Sequence, residues 1–232
     1  IVAGSGFKVT KHGNYGVSSN CGSSNVLEYL GVKFSNDETH LKKCLDQSNI
    51  CYLHAPIFHP SMKNVAPIRK ALGFKTFFNL LGPLVNPSSP KNQITGVYNL
   101  EIARLYGYIF KNTNKNFSIV YSLDGYDEIS LTGSFKLINN FSEIISDCNY
   151  FKLQKTMAKD ILGGKSIEDS ANIFKDILSG KGTNNQVNVV LANSSLAIKT
   201  ITNKDIDECI EIAKESIESG KAYSSLKKLI EA

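Results

Sequence analysis

The chain has 232 residues, a formal net charge of +5 at pH 7 and a hydrophobic content of 42%, enough for one sizeable core or a core with a small lobe. Its lysines are scattered rather than clustered with aromatic residues, which argues against a nucleic-acid partner, and no apolar run reaches the length of a membrane span. The five cysteines contain no CxxC pair, which argues against a zinc site or a disulfide framework and favours reduced cysteines in a cytoplasmic protein. The positive net charge favours small anionic substrates.

In the first half of the chain, apolar spacing and breaker residues predict short elements around one polar loop. The apolar run Phe7–Thr10 leads into this loop, and an apolar-periodic helix over Val26–Leu30 leaves it. The other elements predicted here are a helix over Asp37–Gln47 opened by a Ser35/Glu38 capping box, a strand over Ile50–His54, a helix from Pro60 to Gly73 that Pro67 kinks or splits, and a short helix over Phe77–Leu81.

In the second half, strand and helix patterns alternate, which predicts a parallel sheet with helices on its faces. The alternating elements are a strand over Ile94–Tyr98, a helix over Leu100–Phe110 and a strand over Phe117–Ser122. Short extended runs then predict strands at the sheet edge over Ile129–Leu131, Ser134–Ile138 and Phe141–Ile145. The chain finishes with predicted helices from Ser166 to Leu178, opened by a Ser166/Asp169 box, and over Val187–Ile198, Asp205–Glu218 and Tyr223–Glu231.

The segment Lys11–Gly31, KHGNYGVSSNCGSSNVLEYLG, has the composition of an anion-binding loop. Its glycines let backbone N–H groups approach an oxyanion, and the following helix adds unpaired N–H groups at its start. Lys11 adds a point charge, and hydroxyl donors come from Ser18, Ser19 and Ser23. A polar surface loop with a serine cap on the helix is the alternative. A Walker loop is excluded, because the lysine precedes the glycines.

Two adjacent carboxylates, Asp127 and Glu128, follow a buried strand on a glycine-containing turn. Hard oxygen ligands of this kind suit Mg²⁺, and the ends of strands are where α/β sheets bind ligands. A solvated Asp-Gly turn is the alternative reading. Asp124 is expected to shape the turn or to belong to the outer shell of the metal site.

Arginine is rare in this chain, with only Arg69 and Arg104 against 24 lysines. A planar guanidinium grips a carboxylate through two hydrogen bonds, which lysine cannot do, so Arg69 is a candidate carboxylate ligand. The alternative is a residue on a helix face near the helix C-terminus, the role expected of Arg104. His59 precedes Pro60 where a helix begins and could cap it, and His12 could face an aromatic substrate.

Several blocks of the sequence resemble the anthranilate phosphoribosyltransferase family. Lys11–Gly31 resembles its phosphoribosyl-diphosphate loop, with Tyr15 where the family often has Arg and Cys21 near a usual Ser or small residue. His54–Pro87, HAPIFHPSMKNVAPIRKALGFKTFFNLLGPLVNP, resembles its longest motif, and Asp124–Gly133, DGYDEISLTG, resembles its carboxylate motif. The tail block Gly180–Ile198 resembles its closing helical segment.

This resemblance implies transfer of a phosphoribosyl group from phosphoribosyl diphosphate to the amine of anthranilate, a step of tryptophan biosynthesis, with Mg²⁺ as cofactor. The implied phosphoribosyl-diphosphate ligands are Lys11, His12, Gly13, Asn14, Tyr15, Gly16, Val17, Ser18, Ser19 and Ser23. The implied anthranilate ligands are Asn14, His12, Pro56, His59, Met62 and Arg69. Asp127 and Glu128 would hold the metal, and no residue is assigned as a catalytic acid or base.

The resemblance also implies a fold of the nucleoside phosphorylase/phosphoribosyltransferase type, α/β with a mostly parallel sheet flanked by helices and part of a small all-helical lobe. Residues 1–36 and 84–232 would form the α/β domain, and 37–83 an inserted part of the lobe. The family has helices and a GTGGD loop upstream of the matched block. We therefore expect this chain to be an N-terminally truncated fragment that is inactive alone, and the full-length protein to form a homodimer through the lobe.

Three rival interpretations remain open from the sequence. A pyrimidine nucleoside phosphorylase shares the fold, but the Asp127–Glu128 pair and Arg69 with its neighbouring NLLGPL speak against it. A non-catalytic remnant that serves assembly or regulation is a second possibility, which the expected truncation supports. An RNA-binding module has only the mild positive charge behind it.

Overall fold

The computed structural model describes residues 1–16, 21–64 and 77–232. Within these ranges the strands are β1 (Val9–Gly13), β2 (Ile50–His54), β3 (Asn92–Gly96), β4 (Asn116–Ser122), β5 (Phe135–Asn139) and β6 (Glu143–Ser146). The α-helices are α1 (Ser23–Tyr29), α2 (Glu38–Ser48), α3 (Ala55–Phe58), α4 (Phe78–Leu81), α5 (Leu100–Lys111), α6 (Ile167–Leu178), α7 (Asn184–Thr202), α8 (Ile206–Glu218) and α9 (Lys221–Glu231). Short 3-10 helices occupy Pro60–Asn64, Gly82–Leu84, Cys148–Phe151 and Ala158–Ile161.

The described strands form two sheets. β1 and β2 pair in parallel, with Lys11 opposite Tyr52 and Gly13 opposite His54. The second sheet has the order β3-β4-β5-β6, and in it only β3 and β4 are parallel. The α/β class with flanking helices is therefore confirmed, and of the two sheets the first is wholly parallel and the second is mixed. Parallel strands need a crossover such as α5, whereas the loop over residues 123–134 and the short turn after β5 return the chain antiparallel.

Both faces of the second sheet are covered by helices, because β4 alternates its side chains between two cores. Phe117 and Ile119 pack with residues of α5, including Tyr106. Val120 points to the other face and packs with Leu196 of α7. A helix on each face leaves the sheet ends available for a site, as expected of this class of fold.

The segment predicted to belong to a helical lobe begins with α2 and β2, which pack against β1 and α9. Cys44 of α2, Cys51 of β2 and Leu229 of α9 share one apolar cluster. Burial raises the pKa of the Cys51 thiol to about 11. The division into residues 1–36 with 84–232 and residues 37–83 is left untested by these contacts and stays a prediction.

Most predicted elements are confirmed, with shifts of a few residues at their ends. The Ser166/Asp169 capping box is present, and β2 has the predicted bounds. The Ser35/Glu38 box is wrong, because Asp37 caps α2 by accepting from the backbone N of Thr39 at 3.1 Å. Asp is as good a cap as Ser, and it stands directly before the first helical residue.

The extended run Ile129–Leu131 is not a strand, although it is buried. The backbone of Ile129 bonds the side chain of Asn193 instead of a neighbouring strand. The helix predicted from Pro60 begins as a 3-10 turn, and its continuation lies outside the described residues. In the described part of the chain, no helix is both long and apolar enough to cross a membrane.

Candidate active site

Residues 14–23, which lead from β1 into α1, are called the Gly/Ser loop below. Its two ends are held together by one side chain, that of Asn25 in α1. Its Oδ1 accepts from the backbone N of Gly16 at 3.1 Å and from that of Gly22 at 2.9 Å. A side chain on Gly22 would collide with the backbone of Tyr15 and Gly16. Gly22, not a serine, is the residue that precedes α1. The close approach of the two ends thus requires glycine at this position.

Lys11 lies on β1, where its side chain is crowded by surrounding protein yet keeps solvent-accessible surface, as expected in a concave site. Its Nζ donates to the backbone O of His12 at 3.3 Å. Burial lowers the pKa of the Lys11 ammonium, and the negative charge of Asp127 opposes that shift. Two predicted site residues from different sheets therefore interact electrostatically.

The Asp127–Glu128 pair is fixed by three surrounding elements. A Cβ on Gly96, the last residue of β3, would overlap the backbone O of Asp127. Ser122, at the end of β4, donates its hydroxyl to the backbone O of Glu128 at 2.5 Å. Asn193 of α7 bonds both backbone groups of the next residue, Ile129, at 3.0 and 2.8 Å. The pair sits where the parallel strands β3 and β4 end.

The two carboxyl groups of this pair are electrostatically coupled. Glu128 keeps solvent-accessible surface, but partial desolvation by the surrounding protein raises its pKa to about 7, with further contributions from the charge of Asp127 and a hydrogen bond between the two side chains. Like charges held this close favour retention of a proton, and a divalent cation satisfies the same need. No cluster of three or more metal-ligating side chains occurs among the described residues. Mg²⁺ often uses only one or two carboxylates together with substrate phosphates, so the pair fits it.

His12 and His59 form the second group that the structure brings together. Their ring centroids lie 5.2 Å apart in an edge-on arrangement. Nδ1 of His12 lies 3.1 Å from the carbonyl O of Gly82, which can only accept, so Nδ1 carries the proton. Nε2 of His12 is then a bare acceptor, and it is buried without a hydrogen-bond partner, as is Nε2 of His59. Burial is the largest cause of a lowered His12 pKa, which keeps the ring neutral at pH 7.

The remaining predicted ligands line a separate cavity, flank the two groups along the chain, or lie outside the described residues. Tyr15 and Pro56 line a separate cavity of about 710 Å³ that Lys11 and Asp127 do not reach. The Asn14 side chain accepts from the backbone N of Tyr15 at 2.8 Å. Met62 lies on the 3-10 turn Pro60–Asn64. Val17, Ser18, Ser19 and Arg69 lie outside the described residues.

Known proteins resemble the chain over almost its whole length. The glycosyl transferase family, a/b domain, matches residues 1–223. Anthranilate phosphoribosyltransferase of Christiangramia forsetii is 58% identical over 229 residues, which make up 99% of this chain and 69% of the relative. The enzyme of that name from Flavobacterium johnsoniae is also 58% identical, over 100% of this chain and 70% of the relative. The chain belongs to the anthranilate phosphoribosyltransferase family.

Solved structures of this family share the fold. Anthranilate phosphoribosyltransferase from Saccharomyces cerevisiae, in complex with PRPP and Mg, superposes with a TM-score of 0.91 at 30% identity, covering 99% of this chain and 67% of that one. The Thermus thermophilus enzyme gives a TM-score of 0.92 at 27% identity, covering 99% of this chain and 70% of that one. The match to this family confirms the resemblance that the loop and carboxylate motifs indicated.

Several residues that organise the site were not foreseen from the sequence. They are Ser24, Asn25, Tyr52, His54, Gly96 and Asn193. Asn25 carries a usable signal, since a short amide three residues after the glycine that precedes a helix can reach back to the loop. Gly96, a glycine at the end of a strand, signals a close backbone approach. Asn193 carries none, because its partner Ile129 is distant in the sequence.

Proposed function

We propose that the chain is part of an enzyme that transfers the phosphoribosyl group of phosphoribosyl diphosphate to the amine of anthranilate, releasing diphosphate, and that the chain is inactive alone. The observation that supports this proposal is the electrostatic effect of Asp127 on Lys11, which is expected if the Gly/Ser loop and the carboxylate pair face one site. Such a place suits a ligand that carries phosphates and a divalent cation at once. Membership of the anthranilate phosphoribosyltransferase family supplies the acceptor, anthranilate.

The reaction breaks the bond between ribose C1 and the diphosphate oxygen and forms a bond from C1 to the anthranilate nitrogen. Positive character develops at C1 and negative charge on the departing diphosphate. Lys11 and the hydroxyl groups expected from the sequence at Ser18, Ser19 and Ser23 would stabilise that negative charge. Asp127 and Glu128 would hold Mg²⁺, which when bound neutralises phosphate charge. Anthranilate held in line with the leaving group supplies the proximity contribution.

We expect His12 and His59 to orient the acceptor. The anthranilate amine is neutral at pH 7, so it attacks without prior loss of a proton, and the positively charged nitrogen that results then gives one proton to solvent water. The bare Nε2 of His12 can accept a hydrogen bond from that amine. Arg69 would grip the anthranilate carboxylate through its planar fork. His12 acts here as an orienting acceptor, and no catalytic base is assigned.

The remaining expectations from the resemblance also belong to this proposal. They are a role for Mg²⁺ in this chain, ligand contacts by Asn14, Tyr15, Pro56 and Met62, a cytoplasmic location, and a homodimer of the full-length protein. In the family complex from yeast, PRPP and Mg are bound together. That pairing supports the expectation that the substrate and the metal enter one site here.

The test is an assay on the protein as its gene encodes it. Anthranilate fluorescence is followed in the presence of phosphoribosyl diphosphate and Mg²⁺. In the control, ribose 5-phosphate replaces phosphoribosyl diphosphate. We expect loss of anthranilate that needs both phosphoribosyl diphosphate and Mg²⁺. Phosphate-dependent cleavage of a pyrimidine nucleoside, without any loss of anthranilate, would instead support the phosphorylase interpretation.

A further inference from the structure

A line of buried hydrogen bonds runs from the Gly/Ser loop into the β1-β2 sheet. The hydroxyl of Ser23 lies 2.9 Å from that of Tyr52, which lies 2.8 Å from the hydroxyl of Ser24. The Ser24 hydroxyl in turn lies 2.9 Å from Nδ1 of His54. Ser24, Tyr52 and His54 are 0%, 3% and 4% exposed, whereas Ser23 keeps a partly exposed surface. The line therefore has one end in the core and one end at the site.

Packing fixes the groups of this line in place. A Cβ on Gly13 would collide with the hydroxyl of Tyr52, so the tyrosine rests directly against the end of β1. Phe34 stacks on the ring of His54 at a centroid distance of 4.5 Å. Tyr15 meets the same ring edge-on at 4.8 Å. Because these contacts fix the positions of the heavy atoms, the main change open to the line is the direction in which each hydroxyl proton points.

Proton counting gives the line only two self-consistent directions. Each hydroxyl has one proton and can donate to one bond only. When Nδ1 of His54 is bare, the three hydroxyl protons fill the three bonds, all pointing inward. When Nδ1 carries a proton, one hydroxyl proton is left over, and it belongs to Ser23 because Ser24 and Tyr52 are buried and would otherwise hold an unpaired donor. In the inward direction, Ser23 donates to Tyr52 and offers only lone pairs to a ligand. In the outward direction, Nδ1 of His54 donates to Ser24, Ser24 to Tyr52 and Tyr52 to Ser23. The proton of Ser23 is then free to point away from the protein.

We propose that the His54–Ser24–Tyr52 line is a positioning relay that turns the Ser23 hydroxyl outward, as a donor to a phosphate oxygen of phosphoribosyl diphosphate. This inference rests on the proposed function and adds residues that do not touch the substrate. An oxyanion can only accept, so binding it selects the outward direction and the His54 tautomer with a proton on Nδ1. Tyr52 is the central link, because it contacts Ser23, Ser24 and the position of Gly13.

The central test is Tyr52→Phe, which keeps the ring and removes the link. We expect the KM for phosphoribosyl diphosphate to rise about tenfold, in line with the loss of one hydrogen bond to a charged group. The KM for anthranilate and kcat should stay within about twofold, because the relay acts on the phosphate end alone. The matched control is Tyr150→Phe, which removes a half-buried hydroxyl beside Phe135 and Phe151 in another core.

A second pair of variants tests the direction of the relay. His54→Asn places an amide, which can donate, near the position of Nδ1, whereas His54→Phe removes every donor there. We expect the Asn variant to bind phosphoribosyl diphosphate nearly as tightly as the parent in calorimetric titration with Mg²⁺, and the Phe variant to bind about tenfold more weakly. Equal binding by both variants would overturn the relay.

The outcomes separate this inference from the proposed function. If the parent protein fails to consume anthranilate, the proposed function fails, and the relay is then judged by calorimetric titration of phosphoribosyl diphosphate alone. If the parent is active but Tyr52→Phe leaves its KM for phosphoribosyl diphosphate unchanged, the relay is wrong. Equal increases in both KM values, together with a lower melting temperature, would assign Tyr52 a purely structural role and also overturn the inference.

Discussion

Lys11 of β1 and Asp127, in the loop after β4, interact electrostatically although they come from different sheets of the molecule. Lys11 lies on the strand that leads into one polar loop and Asp127 lies in another, and each loop is held by a half-buried amide, Asn25 for the first and Asn193 for the second. The site is therefore made by the approach of two separately fixed loops. This arrangement makes the two halves testable independently.

The carboxylate pair is predicted to carry the Mg²⁺ dependence of the reaction. Asp127→Asn with Glu128→Gln should lower kcat/KM by about 10²–10³-fold, the usual effect of removing a preorganised charge-stabilising group. The matched control is Asp207→Asn with Glu208→Gln on α8, whose carboxylates make surface ion pairs with Lys152 and Lys204. Steady-state rates over a range of Mg²⁺ concentrations check this, and near-normal activity of the Asn/Gln variant at limiting Mg²⁺ would contradict it.

Gly96 is predicted to be required for the placement of Asp127. Gly96→Ala puts a methyl group on the backbone O of Asp127, so the loop must move, at a cost of about 1–3 kcal/mol in the free energy of unfolding. Activity should fall further than stability, because the carboxylates shift as well. Gly163→Ala, at a glycine with open space around it, is the control. Denaturant titration and the Mg²⁺ dependence of kcat are the measurements, and an unchanged Mg²⁺ requirement in Gly96→Ala would count against this placement.

His12 is predicted to control the use of anthranilate at acid pH. Its pKa is lowered by burial, so the neutral ring is favoured in the folded state. The contribution to the free energy of unfolding is complete above the unfolded pKa of about 6.5 and is lost as the pH falls through the lower folded value. Protonation also removes the bare Nε2 acceptor. The KM for anthranilate should therefore rise as the pH falls through the folded-state pKa of His12, which lies below the free value of about 6.5.

Variants separate this effect from general acid sensitivity. His12→Phe should raise the KM for anthranilate about five- to tenfold at pH 7.5, the usual effect of one lost neutral hydrogen bond, and should flatten its acid dependence. His40→Phe, on α2, is the control and should keep the parent profile. An unaltered pH profile in His12→Phe would show that another group titrates.

Asn25 is predicted to hold the Gly/Ser loop closed for phosphoribosyl diphosphate. Asn25→Ala removes the acceptor shared by Gly16 and Gly22, so the loop ends separate and the KM for phosphoribosyl diphosphate should rise about tenfold or more. The control is Asn112→Ala, which removes one exposed side-chain bond to the backbone O of Tyr108. Hydrogen exchange at Gly16 and Gly22 reports the opening directly. Protection equal to that of the parent would argue against the clamp.

The site was predictable from the sequence to the extent that it is built from local patterns. The Gly/Ser loop with Lys11, and the Asp127–Glu128 pair after a buried strand, are contiguous segments whose chemistry can be inferred from composition. Whether neighbouring strands pair in parallel or antiparallel was harder to predict from the sequence. The turn after β5 returns the chain antiparallel, and the amino-acid composition of the turn does not specify that geometry. The prediction of a Ser35/Glu38 capping box is wrong, because Asp37 is an equally good cap and stands directly before the helix.

The tertiary partners of the site could not be derived in this way. Tyr52 and His54 appear in the sequence as ordinary members of a buried strand, and only the parallel pairing of β1 with β2 brings them beside Ser23 and Ser24. Asn193 likewise gains its role from the packing of α7 beneath Ile129. Such contacts depend on the register of strands and the docking of helices, which a single sequence leaves undetermined.

Lys11 and the carboxylate pair are predicted to bind the same ligand. Calorimetric titration of phosphoribosyl diphosphate, with and without Mg²⁺, tests this directly in the parent, Lys11→Met and Asp127→Asn/Glu128→Gln. The control is Lys8→Met, which removes only an exposed ion pair with Asp46. We predict Mg²⁺-dependent binding in the parent and in Lys8→Met, and at least about tenfold weaker binding in the other two variants. Binding by Lys11→Met as tight as that of the parent would contradict the account.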